Sequence, residues 1–216
     1  MLTLYFGPGS SSMAPHIALH EVGVAFEARA ISFSRKDQRS EWFLALNPQG
    51  TVPLLMIDDR TLTEVAAILF YLARRHPEAG LWPAELEAQA QVISWMSFLA
   101  SFVHPARSRG PERARAIYGL AERRLHGDWA VSEYSIADIH LFRLFWRFSN
   151  STALEPGEFP KLIAHRERML QRPAVRKTIE IEAAFGYEIE GFTPPAYEWL
   201  SNTSANSLNR TKPSAS

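Results

Sequence analysis

Three consecutive hydroxyls, Ser10, Ser11 and Ser12, lie in the segment PGSSSMAPHIAL, between a short apolar stretch and a run of helical spacing. Where a strand end meets a helix N-terminus, unpaired N–H groups and the positive end of the helix dipole converge. An anion such as a thiolate is stabilised there, and a serine O–H can donate to it. Thiol pKa values at such ends fall from about 8.5 toward 7 or lower. The same residues also read as a plain turn with Ser12 capping the helix. In NPQGTVPLL, Val52-Pro53 opens a strand beside a glycine turn and is a candidate cis bond. It would present the N–H and C=O of Val52 to an extended peptide ligand, although only about 5–6% of X–Pro bonds in folded proteins are cis. In LTEVAAILFYL, Glu64 stands immediately ahead of a helix. A carboxylate there would bind a ligand ammonium while the first helical N–H groups take the adjoining carboxylate; ordinary first-turn acid placement looks the same. In EYSIADIHLF, Ser135 and Asp138 have capping-box spacing, with Tyr134 and Ile139 available for a hydrophobic staple, so this segment starts a buried helix and carries no catalysis.

Composition narrows the chemistry. The 216 residues contain no cysteine, which removes disulfides, thiolate metal sites and a protein thiol nucleophile together. Any sulfur chemistry must use a thiol brought from outside. The histidines are scattered without metal-ligand spacing, so no metal is expected. Lysine plus arginine balances aspartate plus glutamate at 23 each, so no overall field steers the chain toward nucleic acid or an anionic membrane. The opening MLTLYFGPG reads as a strand and not as a signal peptide, and no run approaches the roughly 20 apolar residues that span a bilayer. A cytoplasmic protein is expected.

The elements that must position these groups follow from periodicity. Met13 to Val22 has helical spacing closed by Gly23, and AFEARAIS alternates as a strand, giving a β-α-β unit with a parallel pair. Trp42 to Leu46 is a short amphipathic piece. VPLLMID and RTLTE form a hairpin around Asp58-Asp59, and EVAAILFYLARR a helix of about three turns. HPEAGLWP breaks the pattern with two prolines and a glycine. Beyond it, helical spacing recurs over 85–103, 112–125, 136–148, 159–170 and from Pro173 to about Phe185. The expected organisation is an α/β domain at 1–77, a linker at 78–84, an all-helical domain at 85–190 and a polar tail at 191–216.

The order and spacing of PGSSSMAPHIAL, NPQGTVPLL, LTEVAAILFYLA and SIADIHLF resemble bacterial cytosolic glutathione transferases, closest to the beta class, over residues 1 to about 185. The resemblance implies a thioredoxin-like domain followed by a helical domain, a cis proline at Pro53, and glutathione held by Thr51, Val52, Pro53, Glu64 and Val65, with Arg35 and Lys36 toward its glycyl carboxylate. It implies a symmetric homodimer. A histidine on the first helix of the second domain faces the active site in beta-class relatives, which gives His104 here. Phe6, Ser97 and Ser101 join His104 in the expected second-substrate pocket. Three departures stand out. Ser11 occupies the position of the usual cysteine, so activation of glutathione falls to Ser11 with Ser10 or Ser12 in support. Val65 replaces the common serine or glycine. The stretch between Val103 and Glu112 is short. The expected reaction is addition or substitution by glutathione thiolate at a hydrophobic electrophile. A glutathione-dependent lyase or isomerase, or a non-catalytic binding module of the same fold, are the alternatives.

Overall fold

The computed structural model describes residues 1–189 and 191–200. Four strands form a mixed sheet: β1 (Leu2–Phe6), β2 (Glu27–Ala30), β3 (Leu54–Ile57) and β4 (Arg60–Thr63), in the spatial order β2-β1-β3-β4. β1 and β2 are parallel, as the intervening helix requires, and the other two pairings are antiparallel. Helices α1 (Met13–Val22) and α3 (Val65–Arg75) pack among the larger core, and the short α2 (Glu41–Leu46) contributes Phe43 to a smaller one with Tyr5, Ile31, Val52 and Leu54. This is a thioredoxin-like domain.

Five longer helices follow: α4 (Leu86–Phe98), α5 (Pro111–Arg124), α6 (Ile136–Ser149), α7 (Pro160–Leu170) and α8 (Pro173–Phe185). Their starts are written locally. Proline opens α5, α7 and α8, where its missing N–H costs nothing. The capping box of Ser135 and Asp138 opens α6 as expected. α1 ends where Gly23 turns left-handed at φ 69°. α4 does not stop at Phe98 but widens into a π-helical turn over Leu99–Val103 and then tightens into a 3-10 turn over His104–Arg109. No helix among the described residues is long and apolar enough to cross a membrane.

The two parts share one continuous core, running from Leu4 and Phe6 through α1 and α3 into α6 and α8. The segment expected as a linker is built in: Leu81 is fully buried, its carbonyl accepts the N–H of Ile136 at 3.1 Å, and Trp82 packs edge-on against Phe70. The expected tail boundary at 191 needs correction. Phe192, Tyr197 and Trp199 pack against the core, and Tyr197 accepts the indole N–H of Trp146 at 2.9 Å. Three aromatics in ten residues supply the apolar area that the polar stretch after them lacks. The remainder of the expected tail, 201–216, lies outside the described residues.

Candidate active site

The turn between β1 and α1 brings the three serines to one place and gives each a different task. Ser12 is fully buried: its Oγ accepts from the Gly7 N–H at 3.0 Å, donates to the Gly7 carbonyl at 3.1 Å and meets Ser10 Oγ at 2.7 Å. Its backbone is already helical, and its side chain makes no capping bond. The expected cap is therefore corrected: the hydroxyl turns inward to tie the preceding loop, and a hydroxyl so enclosed cannot reach a thiolate. Ser10 is also buried, with its Oγ accepting from the Ser12 N–H at 3.3 Å. Only Ser11 is partly exposed, and it donates its hydroxyl to the Val52 carbonyl at 2.9 Å. The Ser10 N–H donates to Gly7, whereas the Ser11 N–H has no acceptor among the described residues.

Val52-Pro53 is cis. The loop before it is held by Asn47, whose amide donates to the Thr51 carbonyl at 2.8 Å and whose Oδ1 accepts from the Gln49 N–H at 3.2 Å. Asn47 is nearly inaccessible and does positional work that the sequence reading missed; its place as the first residue of the NPQG turn was the available signal. The Val52 carbonyl is not open as expected, because Ser11 occupies it. Thr51 is exposed. Glu64 is exposed at the head of α3, makes no cap bond and sits at φ 71°, ψ 126°, a conformation L-residues rarely adopt. Val65 is buried behind it.

Arg35 is exposed and pairs with Asp37 at 3.0 Å, while Lys36 is exposed with a left-handed φ of 58°. Phe6 corrects its expected role. It is fully buried between His16 and Phe185 and lines no open pocket, because the strand alternation points it into the core. Ser97 and Ser101 are exposed and make no side-chain hydrogen bond among the described residues. The π-helical turn between Ser97 and His104 breaks the regular spacing on which their shared face was predicted. His104 keeps contact with solvent, yet the protein crowded around its ring and then the charges of Arg143 and Arg147 hold its pKa below the usual imidazole value. Near pH 7 it is a neutral imidazole.

Three groups that sequence reading overlooked reach this region from far along the chain: two hold the serine turn, and one holds the loop of residues 32–34. Arg143 of α6, itself buried, donates from Nε to the Ser10 carbonyl at 2.8 Å and from Nη2 to the Gly9 carbonyl at 3.4 Å. Glu182 of α8 accepts the Gly9 N–H at 2.6 Å and bonds His16 Nδ1 at 2.9 Å, which makes His16 a structural residue. Glu188 accepts from the Ser34 N–H at 2.8 Å and from the hydroxyls of Ser32 and Ser34 at 2.7 and 2.9 Å. Those donors, the Ser34 N–H first, hold its carboxyl below the usual range. An arginine inside the largely apolar stretch LFRLFW was a legible hint for Arg143.

A thioredoxin-like domain carrying a cis proline and a hydroxyl turn, closed by an all-helical domain, defines the glutathione transferase architecture. Residues 1–74 match the family described as glutathione S-transferase, N-terminal domain. The chain is 30% identical over 200 residues to glutathione S-transferase GstA of Escherichia coli O157:H7, covering 84% of this chain and 98% of that protein. A glutathione transferase homologue from Sulfitobacter, solved with bound glutathione, superposes with a TM-score of 0.76 at 32% identity over 82% of this chain and 96% of its own. A beta-class glutathione S-transferase of Sphingomonas chungbukensis superposes with a TM-score of 0.71 at 34% identity, over 83% and 98%. The chain belongs to the glutathione S-transferase family.

Proposed function

We propose that this protein activates glutathione as its thiolate through Ser11, in the position where beta-class relatives carry cysteine, for attack on an electrophilic carbon. The observation that carries this reading is the Ser11 turn: a partly exposed hydroxyl and an unengaged N–H stand together at the start of α1, 2.9 Å from the carbonyl of the cis peptide. An anion at that point gains two donors and the helix dipole. Glutathione would take the backbone of Val52 beside Thr51 and Pro53, with its ammonium on Glu64 above Val65 and its glycyl end toward Arg35 and Lys36. The Ser11 hydroxyl would then swing from the Val52 carbonyl to the sulfur, while Ser10 and Ser12 hold the turn from behind. The thiol proton leaves to water, the C–S bond forms, and the leaving group departs or a carbanion is protonated. His104 would face the second substrate as a neutral imidazole that orients it by hydrogen bonding, without supplying charge. No metal enters this reading.

The exposed apolar side chains Phe70 on α3 and Leu86 and Ile93 on α4 support a homodimer built across these helices, and a cytoplasmic location accords with the whole reading. One observation favours a second reading, a binding module without turnover: the Ser11 proton is committed to Val52. Retention on immobilised glutathione together with turnover of 1-chloro-2,4-dinitrobenzene establishes the enzyme. Retention without any aryl adduct at enzyme concentrations of tens of micromolar establishes the module.

A further inference from the structure

Beside the serine turn lies a group of arginines and histidines with no counter-charge in contact. His140, Arg143 and Arg147 stand at positions i, i+3 and i+7 of α6 and share one helix face. Arg107 and His104 approach from the 3-10 turn after α4, and Tyr118 of α5 lies against the same cluster, its hydroxyl donated to the Leu144 carbonyl at 2.8 Å. Among the described residues none of Arg107, Arg143 and Arg147 forms an ion pair. The one carboxylate acting on Arg143 is Glu182, which is already engaged by Gly9 and His16. Arg147 Nε is buried with no partner, and so are both ring nitrogens of His140. Burial and mutual repulsion lower Arg143 to about 9 and Arg147 to about 10, and His140 to about 3.

Guanidinium groups drawn together out of water without a carboxylate are destabilising, and the buried Arg147 Nε and His140 ring lack partners. The arrangement is graded in depth. Arg107 and His104 are exposed at the rim, Arg147 is half-buried, and Arg143 is buried against the carbonyls of Gly9 and Ser10, one residue from Ser11. We infer that Arg107 and Arg147 form an anion subsite next to the thiol turn, so that the electrophilic second substrate carries a carboxylate. The half-buried Arg147 guanidinium makes no hydrogen bond among the described residues, and a planar carboxylate can accept from it. Arg143 is a positioning residue in this scheme, since its Nε and Nη2 donate to the carbonyls of the turn. The inference rests on the transferase reading for the word electrophile, but the anion subsite stands or falls by binding alone.

Two probes of matched shape test it: 4-chloro-3-nitrobenzoate and its neutral amide, 4-chloro-3-nitrobenzamide. Calorimetric titration into the full-length protein without glutathione should show the acid binding about ten-fold or more tighter than the amide. Arg147→Gln and Arg107→Gln should each weaken the acid by about ten-fold or more, the loss expected for one charge-assisted bond, with little effect on the amide. Their melting temperatures should hold or rise, because repulsion is relieved; a merely structural arginine would lower the melt and affect both probes alike. Equal affinity for acid and amide, unchanged acid affinity in both variants, or no saturable acid binding at millimolar concentration overturns the subsite. With glutathione added, the C–S bond forms at the aryl carbon as chloride leaves, and mass detection of the adduct reads that step separately. Arginine-dependent acid binding without adduct would leave the subsite standing and remove the transferase reading. Adduct from the amide with no advantage for the acid would do the reverse.

Discussion

Ser11 and Ser12 differ by one position and by almost everything that matters to a thiolate. Ser11→Ala should raise the apparent pKa of bound glutathione by about one to two units, the worth of one charge-assisted donor, and slow turnover near pH 7. Ser12→Ala should leave the pH–rate profile in place and cost about 1–3 kcal/mol of stability, because the Gly7 N–H and carbonyl and the Ser10 hydroxyl lose a shared buried partner. Profiles and thermal melts on both variants decide between them; a shifted profile in Ser12→Ala alone would move the active hydroxyl to that residue. Glu64 presents a second contrast. Glu64→Gln should raise the Michaelis constant for glutathione far more than it lowers turnover, as expected for an ammonium contact equal in ground and transition states. Glu64→Gly should lose that contact as well, yet gain roughly 1 kcal/mol of stability by relaxing the φ of 71°, after allowance for the more flexible unfolded chain. A Glu64→Gly protein that melts lower than the parent would show that the backbone there is unstrained.

At the scale of elements, α6 carries the most buried polar chemistry. The Asp138 carboxylate accepts from the N–H groups of Ala130 and Ser135 and from the Ser135 hydroxyl, and meets His165 Nε2 at 3.0 Å. Asp138→Ala should therefore cost about 3 kcal/mol or more, because several buried groups lose a shared partner at about 1–3 kcal/mol each, whereas Ser135→Ala should cost about 1 kcal/mol. Urea unfolding measures both. Two residues on, His140 has its pKa driven down to about 3 by burial and then by Arg143 and His104, and His20 on α1 is lowered to about 4 by burial and then by His16 and Lys177. Unfolded, both titrate near 6.5. The unfolded chain binds the extra protons, so stability is full above that value and falls as the pH drops through it toward 4 and below. His140→Leu should make this decline shallower; an unchanged slope between pH 6.5 and 4 would assign the effect elsewhere. The helices and strands themselves were legible because their signals are local: Gly23, the opening prolines and the capping box each act within one turn. The serine tasks were not legible. They depend on Arg143, Glu182 and Glu188, which meet the turn and the loop of residues 32–34 across separations of 133, 173 and 154–156 residues. No window along the chain contains both partners, and the π-helical turn that displaces His104 is likewise set by packing.

Across the whole molecule, the end of the described chain returns to the beginning. Besides Glu188, the side chains of Tyr187 and Ile189 lie over Gly9, whose φ of 70° already favours glycine and where an added Cβ would come within 2.9 Å of both. Gly9→Ala should therefore lift this segment away and lose glutathione binding together with stability, whereas Glu188→Ala should loosen only the loop of Ser32 and Ser34. Amide hydrogen exchange at residues 7–12 and 32–36 separates the two outcomes, and equal protection in both variants would deny the coupling.

The hydrogen bond from the Gly9 N–H to Glu182 also orders events during synthesis. A chain leaving the ribosome presents its thioredoxin-like half first, at some 5–20 residues per second, and that half contains β1, the serines and the cis peptide. It does not contain the carboxylate for Gly9, the guanidinium for Ser10 or the carboxylate for Ser34, so the nascent domain has the residues of the site without its shape. The last of these partners, Glu188, emerges 154 residues after Ser34. A released fragment of residues 1–77 should leave the Gly9 amide unprotected and fail to bind glutathione, and adding the separate helical half should restore both, so that the unfinished protein cannot sequester cellular thiol before it is complete.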